Sequence, residues 1–182
     1  MSGQRGSNSD PVFHRDPGRS YVTADRAEGA YILDRSGKRY LDAAGSTFVI
    51  NLGHGPEEAI EAMLKQAREA AFAYTGQFTT DAEIEFSRRL LELAPRGFSK
   101  AWICTSGSQA NETAIKLARS YHLLAGEGAR VQVASRWNSY HGSSLGALAL
   151  TGHARRREQY VPYLLPSPKI EPPYCYRCPF GK

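Results

Sequence analysis

The sequence predicts an α/β fold, with an N-terminal hairpin and helical segment followed by the start of a parallel sheet with flanking helices. Three observations carry this. Two β-prone runs, Ala30–Leu33 and Arg39–Leu41, flank the turn-rich Asp34-Arg35-Ser36-Gly37-Lys38. Ile60, Leu64, Ala67, Ala71 and Tyr74 then recur at spacings of three and four, the period of one helix face. Further on, Ala101–Cys104, the turn Thr105–Ser108, a helical pattern through Ala110, Ala114, Leu117, Ala118 and Tyr121, and Val131–Ala134 read as strand, turn, helix, strand. That is a βαβ unit, whose two strands run parallel.

Residues 1–28 are polar and rich in Ser, Gly, Asp and Arg, so they read as a mobile arm. The hairpin follows, and Gly45 to Gly55 is apolar but broken by glycine, a strand or loop with close backbone approaches. Pro56 suits the first turn of the helix running to about Tyr74. Thr80-Asp81-Ala82-Glu83 is a capping box opening a second helix, which Pro95 stops. This gives a hairpin and helical segment over 29–95. The segment 96–182 holds the βαβ pattern and a short helix around Leu145 to Leu150. Beyond Gly152 it is proline-rich, with no legible period. One βαβ unit is too little to cover both faces of a parallel sheet, so this segment reads as a truncated domain.

Composition narrows the function. With 41% hydrophobic and 23% charged residues the chain is globular, which excludes disorder as a whole-chain reading. No run approaches the ~20 apolar residues of a membrane-spanning helix, and the first ten residues lack the apolar core of a signal peptide. The expected location is the cytoplasm, without a membrane partner. The three cysteines make no disulfide framework. Cys175-x-x-Cys178 lacks the second ligand pair of a structural zinc site, so no metal is expected. The net charge of +5 is scattered except at Arg155-Arg156-Arg157, a solvated surface cluster rather than a nucleic-acid footprint.

Two stretches carry chemistry. Thr105-Ser106-Gly107-Ser108 leaves the first strand and enters a helix, whose opening N–H groups have no intrahelical partner and suit a phosphate dianion. Gly107 permits close approach, and Ser106 and Ser108 add hydroxyl donors, with Thr105 a further candidate. Such turns also cap helices without any ligand, and on these residues alone that is the plainer account. The turn has neither the Gly-Lys-Ser/Thr ending of a P-loop nor a GxGxxG fingerprint, so ATP and NAD are not the expected carriers. Asn138-Ser139-Tyr140-His141-Gly142 follows the second strand. In an open parallel sheet both stretches lie at strand carboxyl ends and can face one crevice. Tyr140 is placed to stack on a flat heteroaromatic ring; the alternative is a core tyrosine with His141 capping the next helix. Together the two point to a planar aromatic ligand bearing a phosphate, a description pyridoxal phosphate fits.

At these residues the chain resembles the class III pyridoxal-phosphate-dependent aminotransferases. The resemblance lies in Cys104 to Arg119, in Tyr140-His141-Gly142 with the run to Gly152, in Tyr40-Leu41-Asp42 and in Asn51-Leu52-Gly53-His54. Pro173 to Gly181 is similar to one branch of that family. The resemblance implies a partial fold-type-I transferase, a homodimer when full length, and pyridoxal 5'-phosphate as cofactor. It implies that Gly107 and Ser108 hold the cofactor phosphate with Ser106 nearby, that Tyr140 stacks on the ring with His141 along the same wall, and that Phe48 lines the substrate pocket. The substrates it implies are an amino donor and a carbonyl acceptor. Lys38, Lys65, Lys100, Lys116, Lys169 and Lys182 stand in none of the family's Schiff-base contexts. No catalytic residue is therefore expected here, and the chain reads as an inactive N-terminal fragment. An aminomutase or decarboxylase on the same scaffold, or a non-catalytic anion-binding module, are the alternatives.

Overall fold

The computed structural model describes residues 10–181. They form two compact units, the first ending at Arg88 and the second beginning at Arg89.

The first unit is built on a three-stranded antiparallel sheet, β1 (Ala24–Glu28), β2 (Tyr31–Asp34) and β3 (Arg39–Leu41). The β2–β3 hairpin is as the turn chemistry predicts: Ile32 faces Tyr40 and Leu33 faces Arg39. Asp34 closes it, its Oδ1 accepting from the Ser36 and Lys38 N–H groups at 2.8 and 3.1 Å. Strand β1 is a departure from the expected arm, of which residues 1–9 lie outside the described residues. Its sequence, Ala-Asp-Arg-Ala-Glu, has no β-branched residue; it pairs because β2 offers an open edge, with Ala27 facing Ile32 and Glu28 facing Tyr31.

The glycine-broken stretch is a tight loop. A four-residue helical turn, α1 (Gly45–Phe48), contains Ser46, Thr47 and Phe48 at positive φ, a region costly for residues with a Cβ. Asp42 holds it there. Its carboxylate accepts from the Ser46 N–H at 2.8 Å and the Ser46 hydroxyl at 2.7 Å, and lies 2.9 Å from His54 Nε2. The expected close approach is real: Gly29 and His54 exchange backbone hydrogen bonds of 2.9 and 2.7 Å. A Cβ on Gly53 would come within 3.1 Å of the Gly29 carbonyl oxygen.

Helix α2 (Glu57–Glu69) stops five residues before the predicted Tyr74. The Tyr74 carbonyl starts a separate turn, accepting from the Gln77 and Phe78 N–H groups, and Thr75-Gly76 favours that turn over helix. Helix α3 (Asp81–Leu93) spans the division between the units and ends short of Pro95. Its capping box is half formed: Thr80 Oγ1 accepts from the Glu83 N–H at 3.2 Å, while Glu83 Oε2 takes the Thr79 hydroxyl at 3.1 Å instead of reaching back to residue 80.

The second unit corrects the strand assignments. Ala101–Cys104 and Val131–Ala134 are not strands. A strand exists only through a ladder partner, and neither run has one among the described residues; the Val133 carbonyl accepts instead from the Ser167 hydroxyl. The parallel pair forms one step later, between β4 (Ser135–Arg136) and β5 (Lys169–Ile170), with Ser135 beside Lys169 and Arg136 beside Ile170. Helix α4 (Gly107–Leu124) precedes them. Between the strands run α5 (Leu145–Leu150), where the short helix is predicted, α6 (Ala154–Arg157), and a 3-10 turn over Glu158–Tyr163. Helix α6, the 3-10 turn and β5 lie where the sequence shows no period, because elements of two to six residues are shorter than a helical or strand repeat can register.

Among the described residues the buried apolar side chains are Ala147, Leu148 and Ala149, all on α5. Trp102 is 77% exposed and Leu124 91%. The packed centre of this unit is therefore α5 and what holds it. Lys169 is one such group: its Nζ donates to the Ala149 and Leu150 carbonyls at the end of α5 and to the Ser135 hydroxyl, at 2.7, 3.1 and 2.6 Å. A cation there complements the negative end of the helix.

The Asp42 cluster yields a prediction. Hydrogen bonds from the Ser46 N–H and hydroxyl, then from His54, hold the Asp42 carboxyl below its ordinary 3.8. A depressed carboxylate stabilises the fold above pH 3.8, and that contribution is lost as pH falls through the lowered value. The protection factor of the Ser46 amide, its exchange rate relative to an unstructured amide at the same pH, is expected to be high at neutral pH and to fall either on such acidification or in Asp42→Asn at pH 7.

Candidate cofactor-binding site

The turn after Cys104 opens α4. Ser106 is the N-cap, extended at φ −160° and ψ 158°, and its Oγ accepts from the Gln109 N–H at 3.2 Å. Gln109 reaches back in turn: its Oε1 accepts from the Thr105 N–H at 2.9 Å and the Thr105 hydroxyl at 2.7 Å. The Thr105 hydroxyl is thereby engaged, which removes it as a ligand donor. The N–H groups of Gly107 and Ser108, the first two of the helix, have no partner among the described residues. They lie where the helix dipole is most positive.

The second loop lies against this helix start. Ser108 Oγ accepts from the Ser143 N–H at 3.0 Å, and Asn111 Nδ2 donates to the His141 carbonyl at 2.6 Å. One turn further, Glu112 Oε1 takes the Ser144 hydroxyl at 2.5 Å and the Ala147 N–H at 3.3 Å. These bonds, chiefly from the Ser144 hydroxyl, hold the Glu112 carboxyl below the usual glutamate range. From the other side Thr151, fully buried, accepts from the His141 N–H and donates to the Gly142 carbonyl, both at 3.0 Å. Gly142 has φ +131°, and a Cβ there would strike the Ser108 hydroxyl, come within 2.9 Å of Ser108 Cα, and meet Ala147 Cβ at 2.7 Å. Only glycine lets the two loops approach this closely.

Ser106, Gly107 and Ser108 at the start of α4, and Tyr140 and His141 on the following loop, thus belong to two segments hydrogen-bonded to each other. The Tyr140 ring is 56% exposed, with the Arg156 guanidinium 5.2 Å from its centroid over one face. Tyr140 lines an open cleft of about 410 Å³ with Gly142, Ser143, Leu145, Arg156 and Tyr160. His141 has its Nε2 buried without a hydrogen-bond partner among the described residues. Phe48 belongs to the first unit, where it stands 81% exposed at the end of the left-handed turn. Asn111, Glu112 and Thr151 are the residues that sequence reading passes over. Asn and Glu in a helix and Thr after one are ordinary, and their roles come from partners 10 to 35 positions away.

The donors left over define what the site can hold. Two N–H groups remain, and the Ser106 and Ser108 hydroxyls, used here as acceptors, each keep an O–H to donate. No carboxylate is among them. Such a set matches a phosphate dianion.

A family model for class-III aminotransferases matches residues 12–180. The chain belongs to that family. It is 40% identical over 158 residues to an uncharacterized aminotransferase, YhxA, of Bacillus subtilis, covering 87% of this chain and 35% of that protein. It is 35% identical over 136 residues to a putrescine–pyruvate aminotransferase of Pseudomonas aeruginosa, covering 74% of this chain and 30% of the relative. Its fold is similar to the crystal structure of an omega transaminase from Pseudomonas jessenii in complex with PMP, with a TM-score of 0.82 and 28% identity. That match covers 87% of this chain and 35% of the solved one. This class III chain therefore spans about a third of the length of the relatives it matches, and it carries part of the fold-type-I transferase architecture.

The packing at Gly142 can be checked against a second glycine. Gly126, at φ +76°, has open space where a Cβ would stand. In urea titrations followed by circular dichroism, Gly126→Ala is expected to cost about 1–2 kcal/mol from backbone strain alone. Gly142→Ala adds overpacking and is expected to cost about 2–5 kcal/mol. Equal costs would contradict the close approach of the two loops.

Proposed function

We propose that this chain is the cofactor-anchoring part of a pyridoxal-phosphate-dependent transaminase, moving an amino group from an amino acid or amine to a keto acid or aldehyde. The observation that carries the reading is the pair of unpartnered N–H groups at Gly107 and Ser108, beside a tyrosine loop bonded to the same helix turn. The residues fit pyridoxal 5'-phosphate: four donors for its phosphate, a half-exposed aromatic residue for its ring, and no anionic side chain among the donors. When bound, the cofactor supplies a carbonyl that carries the amino group and an electron-withdrawing ring that eases loss of the substrate proton.

The chain's own residues do the binding and orienting. Gly107 and Ser108 hold the phosphate through N–H groups, with the Ser106 and Ser108 hydroxyls adding donors. Because these groups are fixed by the helix before any ligand arrives, binding costs little reorganisation. Tyr140 would stack against the ring, and His141 would line the wall beside it. Phe48 lines the substrate pocket in this reading. No residue of the chain holds or moves the substrate proton: the Schiff-base lysine is not among its six, and the chain by itself is inactive. The complete enzyme works as a homodimer.

Pyridoxamine phosphate tests this, because it has the phosphate and ring but no aldehyde to react with lysines. By equilibrium dialysis the chain is expected to bind it, to be competed by inorganic phosphate, and to bind unphosphorylated pyridoxamine far more weakly. Tyr140→Ala is expected to weaken binding about tenfold, the order of one lost aromatic stack. Borohydride reduction after incubation with pyridoxal phosphate is expected to label no single lysine preferentially. Equal binding of the phosphorylated and unphosphorylated amines, or a stoichiometric adduct at one lysine, would overturn the proposal.

A further inference from the structure

Helix α5 has no cap of its own. Ser144 occupies its N-cap position, yet its side chain makes no capping bond within the helix. Capping comes from another element: the Glu112 carboxylate on α4 accepts from the Ser144 hydroxyl at 2.5 Å and from the Ala147 N–H at 3.3 Å. Gly146 allows the approach, since a Cβ there would lie 2.7 Å from Glu112 Oε1. An anionic acceptor at a helix start satisfies orphan N–H groups and complements the dipole. Charge-assisted bonds of this kind are also the stronger ones.

The placement gives this cap a second consequence. Glu112 lies one turn beyond Ser108, on the helix whose first N–H groups form the phosphate cup. Ser144 lies four residues beyond Tyr140, at the end of the loop that carries the ring wall. The bond between them is therefore one of three that hold the start of α4 against the Tyr140 loop. Ser108–Ser143 and Asn111–His141 fasten the same loop nearer its start. Glu112 is the only charged group of the three fastenings, and it touches neither cup donor.

We propose that Glu112 is a positioning residue that, by capping α5 from α4, holds the Tyr140 loop at the spacing a phosphorylated ring requires. It contributes to ring binding and leaves the phosphate grip itself alone. The inference rests on the proposed cofactor reading, and its test separates the two.

The test compares Glu112→Ala and Glu112→Gln with the unsubstituted chain, using inorganic phosphate and pyridoxamine phosphate as probes. Glutamine keeps an acceptor oxygen in the same place and loses only the charge, so it is the conservative control. In Glu112→Ala the affinity for inorganic phosphate is expected to stay within about twofold, while that for pyridoxamine phosphate falls about tenfold, as for residues in one hydrogen-bond network. The circular dichroism induced in the bound ring, a signature of its stacking on Tyr140, should shrink in parallel. Glu112→Gln is expected to recover most of both. Amide exchange in the ligand-free chain gives an independent readout, with Ala147 losing protection in the alanine variant and keeping it in the glutamine variant. Parallel loss of both affinities would make Glu112 merely structural and overturn the proposal, as would unchanged Ala147 exchange in Glu112→Ala. An unsubstituted chain that binds neither probe would overturn the cofactor reading, and the Ala147 exchange would then decide the capping role alone.

Discussion

The second unit depends on a short-range constraint: the first two turns of α4 and the loop from Tyr140 to Ser144 share three hydrogen bonds within a space that admits no Cβ at residue 142. Everything with chemical meaning is referred to that junction. It fixes a helix N-terminus against the loop that carries Tyr140, and it does so through groups 30 to 35 positions apart in sequence. The buried residues Ala147, Leu148, Ala149 and Thr151 form its backing. Lys169 ties the far end of α5 to the parallel strand pair. A rigid junction of this kind suits a ligand with two unlike ends, because the offset between the start of α4 and the Tyr140 loop is set before a ligand enters.

Local chemistry made much of this readable. The Asp34–Lys38 turn, the stop before Pro95 and the N-cap at Ser106 follow from side chains acting on their own backbone within four residues. Pairing is another matter. Ala101–Cys104 and Val131–Ala134 have strand composition, but composition does not name a neighbour, and the ladder forms between Ser135–Arg136 and Lys169–Ile170. Strand β1 shows the converse, a run without strand composition recruited by an open edge. Both cases follow from the same fact: a strand is a property of two segments, and only one of them is visible at a time.

At the candidate site, residue type signals arrangements that are local and misses those relayed from distant positions. A Ser-Gly-Ser turn entering a helix advertises free N–H groups, and a Tyr-His-Gly loop advertises a ring with room beside it. The groups that bring the two together, Asn111, Glu112 and Thr151, sit at positions where their residue types are ordinary. The signal that could find Glu112 is the absence of a capping bond from Ser144, which becomes visible only in three dimensions. Thr105 illustrates the reverse error: its type suits a phosphate donor, but Gln109 takes its hydroxyl.

The chain belongs to the class III aminotransferases, and the roles proposed for Gly107, Ser108 and Tyr140 come from that resemblance together with the donors at the start of α4. Amide chemical shifts in an NMR titration with pyridoxamine phosphate test those roles most directly. If the account is right, the Gly107 and Ser108 amides and the Tyr140 ring protons shift together with a single dissociation constant, and inorganic phosphate moves the two amides alone. Shifts confined to Tyr140, with both amides unmoved at saturation, would contradict it.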